Sequence, residues 1–349
     1  MTKLGDIPAS HDPVHLLLIA DSKMGKSVYG AQAVVDGWRM IYVDADNGLS
    51  AMRYVFKGNR EYEDRVLYFR TNHPCKFIED MLTSSIFRWN ITQDEKFTSS
   101  KAIDSDEIVE MWPEKFPRNF ILNIDSWTSV ALDAMGISAA DRKTTIEDMD
   151  EYNSEGVYGG ASRKLTLLCA ILQHVKFHVI VQAHGVWYER LEKKPGNVKE
   201  SSKRNEMQIK ETVKVPQSSS KPHGYSMGKY FNQIGWIELD PASRRQLDFK
   251  VEVGRLGGGT PDKREALKEM EFAKLFGKPE SYGDSPWPDP AAIRYSTFAE
   301  WKSRQESTAP KPTGVTAVGT IAKTPAQQTV SAMLKKPTTP NSNQQQTAK

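Results

Sequence analysis

The sequence predicts an α/β fold, a mostly parallel sheet flanked by helices with antiparallel strands added late. Three observations carry the prediction. Short apolar runs alternate with segments of helical spacing, the pattern of a parallel sheet with helices on both faces. The first run, Leu16 to Ile19, breaks into a turn, Ala20-Asp-Ser-Lys-Met-Gly-Lys-Ser27, and a helical pattern begins at once. Several later apolar runs also end in a polar or acidic side chain, as strands do when their carboxyl ends form a ligand crevice.

The elements follow in order. Val14 to Ile19 is the opening strand, and Lys26 to Val35 a helix that Gly37 ends. Arg39 to Val43 is a second strand, closing on Asp44-Ala-Asp-Asn-Gly48. Leu49 to Phe56 reads as a helix, Val66 to Phe69 as a short strand and Phe77 to Trp89 as another helix. Residues 90–117 are polar, carry Pro113 and Pro117, and read as an insertion or irregular excursion. Phe120 to Asp125 is a strand ending in an acid, and 136–160 a charged loop containing glycine. Ala161 to Val175 has an apolar helical face, and Phe177 to Val181 is a strand leading into Gln182-Ala-His-Gly185. A long polar connection, 186–228, follows. Ile234 to Leu239 and Leu247 to Val253 read as a hairpin-like pair, Gly257-Gly-Gly259 as a joint, and Pro261 to Phe276 as a helix. From 307 to 349 the chain is rich in Pro, Thr, Gln, Ala and Ser, with lysines and no acid after Ser307. Such a segment buries too little apolar surface to offset its ordering entropy, so a disordered basic tail is expected. The remaining 1–306 is expected to form one large domain.

Bulk properties narrow the class. With 38% apolar and 26% charged residues the chain can build a core and stay in solution. A net charge of only +3 does not by itself imply a nucleic-acid partner, so any such surface has to be local. Cys75 and Cys169 lie far apart and give no disulfide framework. No signal-type leader and no bilayer-length apolar run is present, so a cytoplasmic location without a membrane partner is expected.

The turn after the first strand has the spacing of a phosphate-binding P-loop, with Ala20 where glycine is more common. Such a loop points backbone N–H groups at an anion on a helix N-terminus. Ala20, Asp21, Ser22, Lys23, Met24, Gly25, Lys26 and Ser27 would form it, and Tyr54 on the following helix is a further candidate nucleotide contact. Gly25 lets the backbone approach, Lys26 supplies charge to the outer phosphates, and Ser27 is a Mg2+ ligand. Asp125, at another strand end, would also hold Mg2+. Asp44 or Asp46 would polarise the attacking water, with N-capping as the plainer role for Asp44. Gln182 would sense the terminal phosphate, with His184 as a possible sharer of that task. The expected ligand is therefore ATP with Mg2+.

These motifs in this order resemble the RecA-like ATPase core, over roughly residues 12–255. Tyr42-Val-Asp-Ala-Asp-Asn-Gly-Leu-Ser50 resembles the family segment whose acid is the catalytic base, which implies that role for Asp46, an Asp where the family usually has Glu. Ile124-Asp-Ser126 resembles the Walker B strand and Val179-Ile-Val-Gln-Ala-His184 the switch strand. The subgroup it is most similar to is phage-encoded, serving recombination or single-strand annealing. The resemblance implies a DNA-stimulated ATPase assembled as a ring or filament. It also implies that 186–228 contacts single-stranded DNA, through Lys193, Lys194, Lys203 and Arg204 with Trp187 and Tyr188 nearby. The near-neutral 136–160 loop is the weaker candidate for that contact. A finger residue acting on the neighbouring subunit would be Arg255, with Arg244, Arg245 and Lys250 close by in sequence. A small-molecule P-loop kinase and a nucleotide-dependent scaffold working through its tail are the alternatives. In either RecA-like or scaffold form the tail, with its short apolar patch at Val330 to Leu334, is a candidate contact for a partner protein.

Overall fold

In the computed structural model the described residues are 13–99, 106–147, 151–193, 207–239, 245–248, 275–282 and 289–308. Their central feature is a sheet whose strands lie in the order β11-β10-β1-β8-β7-β2-β3. These are β1 (His15–Ala20), β2 (Arg39–Asp44), β3 (Val66–Arg70), β7 (Phe120–Asp125), β8 (His178–Lys193), β10 (Gln233–Leu239) and β11 (Arg245–Asp248). All neighbours are parallel except β10 and β11, which pair antiparallel as the late hairpin reading expects. The chain thus forms an α/β fold with a mostly parallel sheet.

Strand alternation sends successive side chains to opposite faces. Leu17, Ile19, Ile41, Val43, Leu122, Ile124, Val179 and Val181 enter one core. Leu16, Leu18, Met40, Tyr42, Ile121 and Ile180 enter the other. The second face is covered by α1 (Lys26–Val35) and α2 (Leu49–Phe56), with the short α3 (Arg60–Glu63) beyond them. On the first face pack α4 (Pro74–Thr83), α5 (Trp127–Asp141) and α6 (Glu151–His174). Both faces are buried, which is why these strands read as continuous apolar runs.

Four expectations are corrected. The helix expected over Phe77 to Trp89 is two elements, α4 and then β4 (Phe87–Asn90). Phe77 meets Phe87 and Trp89 edge-on, so the apolar spacing that looked helical is packing between a helix and a strand. The 90–117 segment is no excursion. It supplies β5 (Glu95–Lys96) and β6 (Glu107–Met111), which join β4 and β12 (Ile293–Thr297) in a second, antiparallel sheet, order β12-β6-β4-β5. Ile108, Val109 and Met111 are fully buried there.

The 136–160 loop is mostly helix. Two of its glycines are spacers: a Cβ on Gly160 would collide with the Ser138 hydroxyl, and one on Gly156 with the Arg142 guanidinium, so they let α6 pass close to α5. The 186–228 connection is also ordered over much of its length. β8 runs on past the sheet as an arm, paired antiparallel with β9 (Met207–Pro216), before α7 (Lys221–Met227). Alternating apolar positions, Val186 and Tyr188 against Val213 and Val215, underlie the arm.

The joint at 257–259, nearly all of the expected Pro261 to Phe276 helix and the tail beyond 308 lie outside the described residues. Chain contacts divide the molecule into Met1–Lys302 and Ser303–Lys349. In the latter the end of α8 (Phe298–Thr308) is described. Among the described residues no helix is long and apolar enough to cross a membrane.

Among the described residues of the first unit, three histidines are buried. Burial holds His178 down at about 3 and His223 at about 4, and lowers His15 as well. His178 Nδ1 accepts the Val14 N–H at 2.9 Å, which requires that nitrogen to be unprotonated. These folded-state values lie below the unfolded value of 6.5, so their stabilisation is full above that pH and is lost as pH falls towards the folded values. Denaturant midpoints should therefore fall as pH drops from neutrality to about 5, with unfolding free energy falling by up to about 1.4 kcal/mol per pH unit for each of His178 and His223 below pH 6.5. His178→Asn keeps an acceptor near Val14 and should remove one histidine's share of that slope; an unchanged slope would contradict the assignment.

Candidate functional site

The site forms at the carboxyl ends of β1, β7, β2 and β8. After Ala20 the chain turns through Lys23 and Gly25, both with positive φ (63° and 100°), before α1 starts at Lys26. Gly25 meets that geometry at little cost, because it has no Cβ. The result is a cavity of about 230 Å3 lined by Ser22, Lys23, Gly25, Lys26, Ser27, Val28, Asp46, Ala51, Asp125 and His184.

Two opposite charges are buried beside one another. Lys26 is 6% exposed and Asp125 3%. Lys26 Nζ donates to the carbonyls of Ala20 and Asp21, each at 3.3 Å, bridging its own loop. The Ser27 hydroxyl donates to Asp125 Oδ2 at 2.6 Å, and the Tyr42 hydroxyl donates to the same oxygen. The peptide between Asp125 and Ser126 is cis. Burial pushes the Asp125 carboxyl up and the Lys26 ammonium down, against the stabilising influence of each on the other.

The two acids after β2 are separated by role. Asp44 is fully buried and committed: Oδ1 accepts the N–H groups of Asp46 (3.0 Å) and Gly48 (2.9 Å), and Oδ2 accepts the Tyr68 hydroxyl (2.6 Å). It shapes the 45–48 turn. The N-cap of α2 is Gly48, without a side-chain cap, so capping by Asp44 is not its role. Asp46 lines the cavity and is partly open to solvent. Its Oδ2 lies 3.2 Å from His184 Nε2, and His184 Nδ1 lies 3.2 Å from Lys26 Nζ. An ammonium can only donate, so Nδ1 accepts and Nε2 carries the proton to Asp46. One neutral tautomer satisfies both contacts.

Gln182 is placed differently from the sensing role expected of it. It is fully buried, and Nε2 donates to Asn123 Oδ1 at 2.9 Å. It packs beneath α1 at Gly30, where a Cβ would lie 3.2 Å from Gln182 Nε2. His184, two residues further on the same side of β8, is the residue that reaches the cavity.

Ala20, Asp21 and Met24 belong to the loop but do not line the cavity. Ala20 and Met24 pack into the α1-side core, and Asp21 pairs with Lys214. Tyr54 is 75% exposed on α2 and does not line the cavity either. Of the residues expected to bind DNA, Lys193 closes β8, and Lys194, Lys203 and Arg204 lie outside the described residues. Arg255, with Arg244 and Lys250, lies outside them too, while Arg245 begins β11. Tyr42, Tyr68, Asn123 and Lys214 are contributions that sequence reasoning missed. The only local signal for them is the period-2 placement of Tyr42 and Asn123 on strands that end in the site.

The donor set fits a Mg2+-bound nucleotide. Mg2+ usually takes one or two protein oxygens and completes its shell with phosphate and water. Ser27 and Asp125 offer two adjoining oxygens, and among the described residues no cluster of three metal-ligating side chains occurs. Lys26 offers the buried cation that an anion needs. Neither a family model nor a curated protein sequence matches the chain.

Gly48 is the tightest point of the site. A Cβ there would strike the Tyr42 hydroxyl and stand 2.6 Å from Asp125 Oδ2. Gly48→Ala should therefore destabilise the protein by about 1–3 kcal/mol, the usual range for overpacking. Urea unfolding with an unchanged slope and a lowered midpoint would confirm it; an unaltered midpoint would show that the turn yields without strain.

Proposed function

We propose that the protein is a Mg2+-dependent, RecA-like P-loop ATPase that works on single-stranded DNA as a homo-oligomer, in recombination, annealing or replication. The observation that carries the nucleotide reading is the Ser27–Asp125 contact of 2.6 Å beside the buried Lys26, at the mouth of β1. Phosphoryl transfer asks a protein for positioning and charge, with little covalent chemistry. The bound Mg2+ would neutralise phosphate charge. Ser27 and Asp125 would hold it, and Lys26 would turn from its own loop carbonyls to the phosphates.

Asp46 would accept a proton from the attacking water, and the His184 Nε2–H would keep its carboxylate aimed at the cavity. His184 takes the sensing role at the end of β8, because it joins Lys26 to Asp46 while Gln182 is buried behind it. The arm that continues β8 supports the DNA reading. It starts one residue after His184 and presents Trp187, 65% exposed, at its root. An exposed indole is a platform on which a base can stack.

Lys26→Ala should abolish ATP hydrolysis, and persistent turnover in the purified variant would sink the P-loop assignment. Asp46→Asn should lower turnover by about 10²–10⁴-fold at nearly unchanged stability, as expected for loss of a general base. Asp44→Asn should instead lower the unfolding midpoint, since it disturbs the turn. A titration with single-stranded and double-stranded DNA at two salt concentrations tests the partner. Single strands should stimulate hydrolysis and salt should weaken the effect; indifference to DNA would favour a small-molecule kinase.

A further inference from the structure

Both strands of the arm touch the phosphate loop. From β8 comes His184, against Lys26 and Asp46. From β9 comes Lys214, whose Nζ sits 2.8 Å from Asp21 Oδ1 and 2.9 Å from Oδ2. Asp21 is the loop's second residue, 193 positions earlier in the chain. Lys214 is 8% exposed, unusual for a lysine, and it gives up rotamer freedom to hold this position.

Its surroundings are shaped to admit it. Gly185, on the facing strand, would meet Lys214 Cε at 2.6 Å if it carried a Cβ, so the lysine stem crosses where a side chain is missing. Trp187 is directly opposite Lys214 in the ladder, with its ring 5.5 Å from Nζ. The indole face adds a cation–π attraction that holds the ammonium at the arm's root. The arm is therefore tied to the loop at one charged contact, and its exposed aromatic is part of that tie.

We propose that Lys214 is a positioning residue that fastens the arm to the phosphate loop through Asp21, so that an anion bound in the loop tightens the root of the arm. This rests on reading the loop as a phosphate site. Lys214 and Lys26 repel one another across the loop. A polyphosphate brought to Lys26 relieves that repulsion, and it attracts the buried Lys214 ammonium more strongly than it repels the half-exposed, solvent-screened Asp21 carboxylate, with no need for Lys214 to touch it. Linkage makes the effect mutual: a strand of nucleic acid that stiffens the arm must raise anion affinity by the same factor.

Amide hydrogen exchange on the full chain tests this at residues 185–188 and at Lys214, Val215 and Gln217, without ligand and with Mg2+ and a slowly hydrolysed ATP analogue. Calorimetry on the same samples measures analogue binding. Without ligand, Lys214→Met should speed exchange at the root roughly threefold, the scale of a partly exposed ion pair. The analogue should slow exchange in the wild type but leave Lys214→Met unchanged even where it binds. Asp21→Asn, a change at an exposed carboxylate, should reproduce both effects, and Lys214→Arg should restore wild-type behaviour. Wild-type exchange rates in unliganded Lys214→Met and Asp21→Asn would overturn the tie. Equal slowing by bound analogue in the wild type and in Lys214→Met would overturn the coupling. Failure of the wild type to bind the analogue would overturn the phosphate reading and the coupling with it, while the unliganded comparison would still decide the tie.

Discussion

The burial of Asp125 is the constraint on which the site depends. An ionised carboxylate removed from water is costly unless it is hydrogen-bonded or paired. Its Oδ2 is therefore met by Ser27 from α1 and Tyr42 from β2, while Asp125 itself ends β7. Two neighbouring elements, α1 and β2, and the distant β7 are thus fixed at one oxygen atom. Burial still pushes Asp125 up and Lys26 down, so neither charge is fully compensated by the partners it has. Incompletely compensated buried charges of this kind cost the fold stability.

β8 converts that arrangement into reach. It lies between β1 and β7 and is paired with both from Val179 to Gln182. Within the sheet its polar residue, Gln182, is used for packing against Asn123. At the end of that pairing His184 lines the cavity, and beyond it, among the described residues, the strand pairs with β9. One strand thus passes from core through site to arm in a few residues, and a change at the cavity has a short, covalently continuous route outward. The contact of Lys214 with Asp21 closes that route into a loop, because it returns from the arm to the turn that follows β1.

Much of this was legible in the sequence where one periodicity applied at a time. The strands that end in the site, the turn after β1 and the helix after it all follow from local pattern, and α1 begins and ends at the expected residues. Legibility failed where partners are distant. Phe87 and Trp89 continue an apolar spacing begun by Phe77, and only their stacking on one another and on Phe77 reveals a strand against a helix. Gly156 and Gly160 look like loop residues because the sequence does not reveal that Arg142 and Ser138 pass beside them. The tyrosine on Asp125 is 83 residues away and the lysine on Asp21 193, separations at which no spacing rule operates.

The contrast between Asp44 and Asp46 illustrates how geometry divides chemically identical groups. Both follow the same strand, two residues apart, and each could serve as a base by type. Asp44 accepts three hydrogen bonds in a position without solvent and does not line the cavity. Asp46 accepts from one imidazole and keeps open surface. A base has to receive a proton from something mobile, and a fully satisfied carboxylate is poorly suited to do so. The rigidity of the first aspartate is what fixes the second: by accepting the Asp46 N–H, Asp44 sets the backbone from which the Asp46 carboxylate projects.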